Sequence, residues 1–175
     1  RICLVNGGIM AARWPLLFEL IEQVQPNDKT GEIYLTDIIA LAIQNGHNVS
    51  CQIADEGEIA GVNDRADLAH LEAILQRRLR KAAMHHGVTL IAPDTVFLSA
   101  DTIIGLDVII EPHVVIGPGT NIGDGSVIKS FSNIEGATIG ACCVIGPYAR
   151  LRPGTNAGDG VKIGNFVETK KSVIG

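Results

Sequence analysis

Arg152 and Lys170 are cations eighteen residues apart, and Glu135 precedes them in the same register once a five-residue step is counted. If eighteen residues make one level of a stacked fold, the two cations sit on one edge about 4.8 Å apart. Like charges that close repel. A phosphate or similar anion between them resolves the conflict through charge-assisted hydrogen bonds. Pairing of Arg152 with Glu135 is the alternative and needs no ligand. Tyr148 and Phe166 share the same spacing. They form a plain aromatic ladder, wall a ligand cleft, or meet a neighbouring subunit. His47, His70, His85, His86 and His113 form no convergent set, so none is assigned as a base. Cys3, Cys51, Cys142 and Cys143 make no CxxC and no Cys/His metal spacing. They read as buried, reduced thiols of a cytoplasmic protein.

The element that gives eighteen its meaning is a repeat. Ile104, Ile110, Ile116, Ile122, Ile128 and Ile134 recur at steps of six; after one step of five, Ile139, Ile145, Leu151, Ala157, Ile163 and Thr169 continue, and another five reaches Ile174. Gly often follows the repeat position, and four residues on stands a small or β-branched side chain such as Val114, Ser126 or Ala149. A six-residue period fits neither a 3.6-residue helix nor hairpins. It predicts a parallel β-helix of hexapeptides over 88–175, three hexads to a triangular coil. A narrow interior takes aliphatics, which accounts for aromatics at 4% against 46% hydrophobic residues. The pattern does not set the hand of the coil; known hexapeptide-repeat proteins are left-handed, against the usual crossover rule.

Residues 64–87 predict one long linker helix. Asn63-Asp64 supplies the cap, and Leu68, Leu71, Leu75 and Leu79 step along one face. Arg77, Arg78, Arg80 and Lys81 fall near its C-terminus as a solvated, dipole-matched run. Residues 1–63 read as mixed α and β: strands at Ile2–Val5 and Val49–Ile53, a helix around Leu16–Val24, and a second from Thr36 or Asp37 to Gln44. Two strands and two helices cannot bury a sizeable core. The segment therefore reads as the edge of a larger α/β sheet.

Net charge is -5, and no basic face suited to nucleic acid is present. No apolar run approaches the roughly 18 residues of a membrane span.

Across its length the chain resembles the bacterial bifunctional enzymes that are both glucosamine-1-phosphate N-acetyltransferase and N-acetylglucosamine-1-phosphate uridyltransferase. The segments carrying the resemblance are residues 5–10 (VNGGIM), 31–39 (GEIYLTDII), 61–65 (GVNDR), 145–154 (IGPYARLRPG) and 164–171 (GNFVETKK). It implies a uridyltransferase portion at 1–63, partly nucleotidyltransferase-like, and a truncated left-handed β-helix acetyltransferase portion at 88–175. It implies uridylyl transfer from UTP with Mg²⁺, in which Asn6 contacts the sugar nucleotide, Tyr34 and Thr36 lie by the sugar-phosphate, and Asn63 helps bind metal and phosphates. It also implies acetyl transfer from acetyl-CoA to glucosamine-1-phosphate, with Arg152 and Lys170 on the substrate phosphate. A homotrimer making UDP-N-acetylglucosamine for peptidoglycan and lipopolysaccharide is the corresponding expectation. The family's nucleotide loop, the acidic partner of Asn63 and the catalytic His have no counterpart in these residues, and position 8 is Gly where a small hydroxyl residue is more usual. The expectation is an internal piece that catalyses neither reaction alone. A pyrophosphorylase with a non-catalytic β-helix tail, or a trimerising scaffold, are the rivals.

Overall fold

Hexads do not fold singly; each buries its aliphatic only when the next coil covers it. The computed structural model describes residue 4 and residues 6–175. It divides into two units, Arg1–Val62 and Asn63–Gly175.

The second unit is a parallel β-solenoid of five coils, preceded by a helix. Every strand is two residues long, and strands one coil apart pair in parallel. The first sheet stacks Thr89–Leu90, Ile109–Ile110, Val127–Ile128, Val144–Ile145 and Lys162–Ile163. The second stacks Phe97–Leu98, Val115–Ile116, Asn133–Ile134, Arg150–Leu151 and Glu168–Thr169. The third stacks Ile103–Ile104, Asn121–Ile122, Thr138–Ile139, Asn156–Ala157 and Val173–Ile174. From Ile104 onward the second residue of each pair is the predicted repeat position, and Leu90 and Leu98 extend the series by two strands that the sequence reading does not include. Ile110, Ile128, Ile134 and Ile145 are all 0% exposed. Most of the small residues beside them are buried too, and Ser126 uses its hydroxyl fully: Ser126 Oγ donates to Gly140 O at 2.9 Å and accepts from Cys143 N at 3.0 Å.

Glycine follows the repeat position on every coil at one corner only. Following the third sheet the residue is Gly105, Gly123, Gly140, Gly158 and Gly175 in turn. There the next coil's backbone crosses closely: a Cβ on Gly123 would lie 2.6 Å from Ala141 N, and one on Gly140 2.7 Å from Asp159 N. The corner after the second sheet has more room, the nearest atom to a Cβ on Gly117 lying 3.2 Å away. After the second sheet the series is Ser99, Gly117, Glu135, Arg152 and Lys170.

The helix α4, Arg65–His85, closes the N-terminal end of the solenoid. Asp64 caps it, accepting from Ala66 N and Asp67 N, while Asp67 accepts from Asn63 N at 3.0 Å. The arrangement is close to a capping box, with Asp67 reaching back one residue beyond the cap itself. The predicted solvated charge run needs a correction at Arg80, which is 7% exposed. Its guanidinium donates to Val96 O at 3.2 Å and to Asp94 Oδ1 at 3.0 Å. Gln76, also buried, donates to Leu98 O at 2.7 Å and accepts from Leu98 N at 2.9 Å. Its side-chain amide stands in for the peptide group of a missing strand. Both residues hold the edge of the second sheet, where uncovered backbone would otherwise lack partners.

The first unit contains α1 (Trp14–Ile21), α2 (Asp37–Gln44) and the short α3 (Glu56–Ile59). Leu20, Val24, Ile38 and Ala42 are its buried apolar residues. The helices expected here form, but Thr36 at the start of α2 is itself αR and makes no side-chain cap. The expected strand at Val49–Ile53 does not form, and the α/β sheet edge read from the sequence is not present among the described residues. A strand needs a ladder partner, and Val49 and Ile53 are exposed with none. The strand expected at Ile2–Val5 lies outside the described residues except for Leu4, which is in no strand. Ile9, Trp14, Ile33 and Ile43 are exposed as well, so among the described residues much of this unit's apolar surface lies outside the cluster of Leu20, Val24, Ile38 and Ala42.

Gly123→Ala should destabilise the solenoid by about 1–3 kcal/mol through overpacking, whereas Gly164→Ala, with nothing within 4 Å of the new methyl, should change stability by under about 0.5 kcal/mol. Gln76→Ala should cost about 1–3 kcal/mol by leaving the Leu98 groups unpaired. Urea unfolding followed by circular dichroism checks all three.

Candidate functional site

The corner after the second sheet positions the two predicted cations. Arg150 pairs with Glu168 and Leu151 with Thr169 across adjacent coils, and Arg152 N donates to Thr169 O at 2.9 Å. Arg152 and Lys170 are therefore the next residues of neighbouring strands on one corner. Arg152 does not pair with Glu135. Its Nη1 donates to Glu168 Oε1 at 3.0 Å, and Arg150 approaches the same oxygen at 3.8 Å. One carboxylate thus serves two arginines, and Lys170 has no ion pair among the described residues. With both flanking side chains part-exposed, this pairing is weak. An anion arriving at the corner meets guanidinium and ammonium donors.

The surrounding coils are also basic. From 146 onward Arg150, Arg152, Lys162, Lys170 and Lys171 face Asp159 and Glu168. From 88 to 145 Lys129 stands alone against Asp94, Asp101, Asp107, Glu111, Asp124 and Glu135.

The aromatic column at the corner between the first and second sheets is longer than the sequence reading gave. His113, Phe131, Tyr148 and Phe166 stack with ring centroids 4.9, 4.9 and 5.1 Å apart. The single five-residue step puts Phe131 seventeen residues before Tyr148, which hides it from a search at eighteen. All four have positive φ, between 55° and 62°.

The residues expected at a sugar-nucleotide site are locally engaged. Asn6 Oδ1 accepts from Gly8 N at 3.0 Å. Tyr34 donates to Glu32 Oε2 at 2.6 Å. Thr36 begins α2, and Asn63 donates its backbone N–H to Asp67. No hydrogen bond among the described residues joins Asn6, Tyr34 and Thr36 to one another. Among the described residues no three His, Cys, Asp or Glu side chains converge as metal ligands. A lone amide oxygen does not hold Mg²⁺, so these residues do not by themselves fit a magnesium centre and no step is derived through one. Of the cysteines, Cys143 is buried and donates to Gly158 O at 3.0 Å, whereas Cys51 and Cys142 are exposed rather than buried as expected; Cys3 lies outside the described residues. No helix among the described residues is long and apolar enough to cross a membrane.

A helix-capped parallel β-solenoid with a cationic corner is the class of protein these features define. No protein-family model matches the chain. Curated relatives do. It is 48% identical over 143 residues to the bifunctional protein GlmU of Hyphomonas neptunium, covering 82% of this chain and 31% of that one. The GlmU of Rhodopseudomonas palustris is 52% identical over 141 residues, 81% of this chain and 31% of its own. The GlmU of Cereibacter sphaeroides is 53% identical over 138 residues, 79% and 30%. The chain belongs to this family and spans about a third of its relatives' length. Among solved structures, a mutant GDP-perosamine N-acetyl transferase from Caulobacter crescentus in complex with CoA and GDP-perosamine is similar at TM-score 0.37 and 21% identity, covering 59% of this chain and 57% of that one. The acetyltransferase domain of PglB from Neisseria gonorrhoeae in complex with acetyl coenzyme A gives TM-score 0.37 and 17% identity, 58% and 62%.

A carboxylate at the same corner gives a pH readout. Asp101 is held below the usual aspartate range, first by the Ser99 hydroxyl and then by Gly119 N–H, which donates to it at 2.8 Å. A lowered folded value means its contribution is full above the unfolded value near about 4 and is lost as pH falls through the folded one. In a carboxyl ¹³C titration Asp101 should titrate below ordinary aspartate, and Ser99→Ala should move it upward.

Proposed function

We propose that the chain is part of a cytoplasmic, homotrimeric enzyme of UDP-N-acetylglucosamine synthesis. On this reading the solenoid, of left-handed coil, takes part in acetyl transfer from acetyl-CoA to the amine of glucosamine-1-phosphate. The first unit belongs to a domain that transfers uridylyl from UTP to N-acetylglucosamine-1-phosphate. The observation that carries the reading is the Arg152–Lys170 corner, in a chain about half identical to the bifunctional relatives over four-fifths of its length.

Arg152 and Lys170 hold the substrate phosphate, which fixes one end of the sugar. Fixing it restricts the amine at the other end to a narrow set of positions and converts lost entropy into rate. The attacking amine must shed a proton to a base; no residue of this chain is assigned that role. Glu168, shared by Arg150 and Arg152, limits the wandering of the Arg152 guanidinium. In the uridylyl half, Asn6, Tyr34 and Thr36 face the sugar nucleotide, and Asn63 offers its side-chain amide to the nucleotide phosphates.

In the protein as expressed from its gene, given acetyl-CoA and glucosamine-1-phosphate, Lys170→Ala should lower kcat/KM for acetylation by at least about tenfold, the worth of one charge-assisted contact. Uridylyl transfer should be unaffected. Acetylation absent from the unaltered protein while uridylyl transfer persists would overturn the reading and leave the solenoid as an assembly tail.

A further inference from the structure

Three successive coils place glycine at the left-handed position of the corner between the second and third sheets: Gly119, Gly136 and Gly154. The fourth places Lys171 there, with φ 47°. A Cβ disfavours that conformation, and in this column Lys171 is the one side chain of the four to adopt it. Where aromatics take the equivalent position on another corner, they stack on one another. Lys171 makes no side-chain hydrogen bond or ion pair among the described residues that would offset the strain. Asp107 and Cys142 hold the same conformation on the third corner, so what distinguishes Lys171 is its charge and its place beside Lys170 rather than the strain alone.

The geometry also aims the side chain. A Cβ on Gly154 would lie 3.3 Å from Lys171 Cα and 3.2 Å from its Cγ. The Lys171 stem therefore lies back across Gly154, toward the coil that carries Arg152. Gly154 forms the cradle for it. The neighbouring carboxylate, Glu168, is already shared between Arg150 and Arg152, which leaves Lys170 and Lys171 as ammonium groups at one corner.

We propose that Lys171 is a third cation for the anion held by Arg152 and Lys170, and that it selects a phosphate monoester dianion over singly charged groups. This rests on the corner being the phosphate subsite. Phosphate monoesters carry about −1.5 to −2 charge at pH 7, with a second pKa near about 6. A third cation gains most from the second of those charges.

The test is calorimetric binding of glucosamine-1-phosphate to the protein as expressed from its gene, with Lys171→Gly, Gly154→Ala, Lys170→Ala and Arg152→Ala. Lys171→Gly relieves the backbone strain, so its Tm should equal or exceed that of the parent while affinity falls about tenfold. The deficit should shrink at pH 5, where the ligand is a monoanion. Gly154→Ala, which displaces the stem, should weaken binding in the same direction. Wild-type affinity for Lys171→Gly, with Lys170→Ala weakened, would overturn the role of Lys171 and leave the phosphate subsite standing. Wild-type affinity in Arg152→Ala and Lys170→Ala as well would overturn both. A tenfold loss in Lys171→Gly that is unchanged at pH 5 would overturn dianion selection.

Discussion

The coil-to-coil backbone ladder is the constraint on which every other feature of the solenoid depends. Arg150 N donates to Val167 O and Arg152 N to Thr169 O, each at 2.9 Å. Bonds of this type turn a separation of seventeen or eighteen residues into roughly 4.8 Å in space. A slip of one residue would turn the inward aliphatic column outward. It would also separate Arg152 from Lys170. The cationic corner and the apolar axis are thus set by the same register, and the chemistry has no independent means of support.

That dependence explains which parts were legible in the sequence. The aliphatic column has no freedom, because a narrow prism admits one side chain per sheet per coil, so Ile, Leu and Val recur visibly. The register then places Arg152 above Lys170 without further information. The ion pair did not follow from it. Glu168 lies on the strand face between Arg150 and Arg152, so it competes with Glu135 for Arg152 at a distance that no linear spacing expresses. The ladder members His113 and Phe131 were missed because one five-residue hexad shifts the count. Gln76 and Arg80 were missed because their partners are the backbone of Leu98 and Val96, and backbone acceptors leave no mark on composition. The first unit was misread for a related reason. Its helices form from local pattern and short-range packing, whereas a strand such as Val49–Ile53 exists only beside another.

The aromatic ladder offsets a backbone strain, whereas the cationic corner has no counterpart to that offset. Four non-glycine residues at positive φ are each disfavoured by roughly 1 kcal/mol or more. The three aromatic stacks between them contribute about 0.5–1.5 kcal/mol apiece. The balance is close to neutral, so rings are tolerated on that corner at little net expense to stability. No such offset exists for stacked cations, which repel along the column while the aromatics attract. The cationic corner is stabilised only by the Glu168 carboxylate and by whatever anion it receives.

Charge along the solenoid axis sharpens this asymmetry. The early coils are acidic and the last two basic. Five coils at about 4.8 Å each span roughly 20 Å between end strands, against a Debye length of about 8 Å at physiological ionic strength. The two ends are therefore screened from each other. The carboxylates of the first two coils therefore do not cancel the field at Arg152 and Lys170; Glu135, one coil away, reduces it but leaves a local excess of cations, to which an approaching anion responds rather than to the net charge of -5. A chain that is acidic as a whole can in this way present one corner that attracts phosphate.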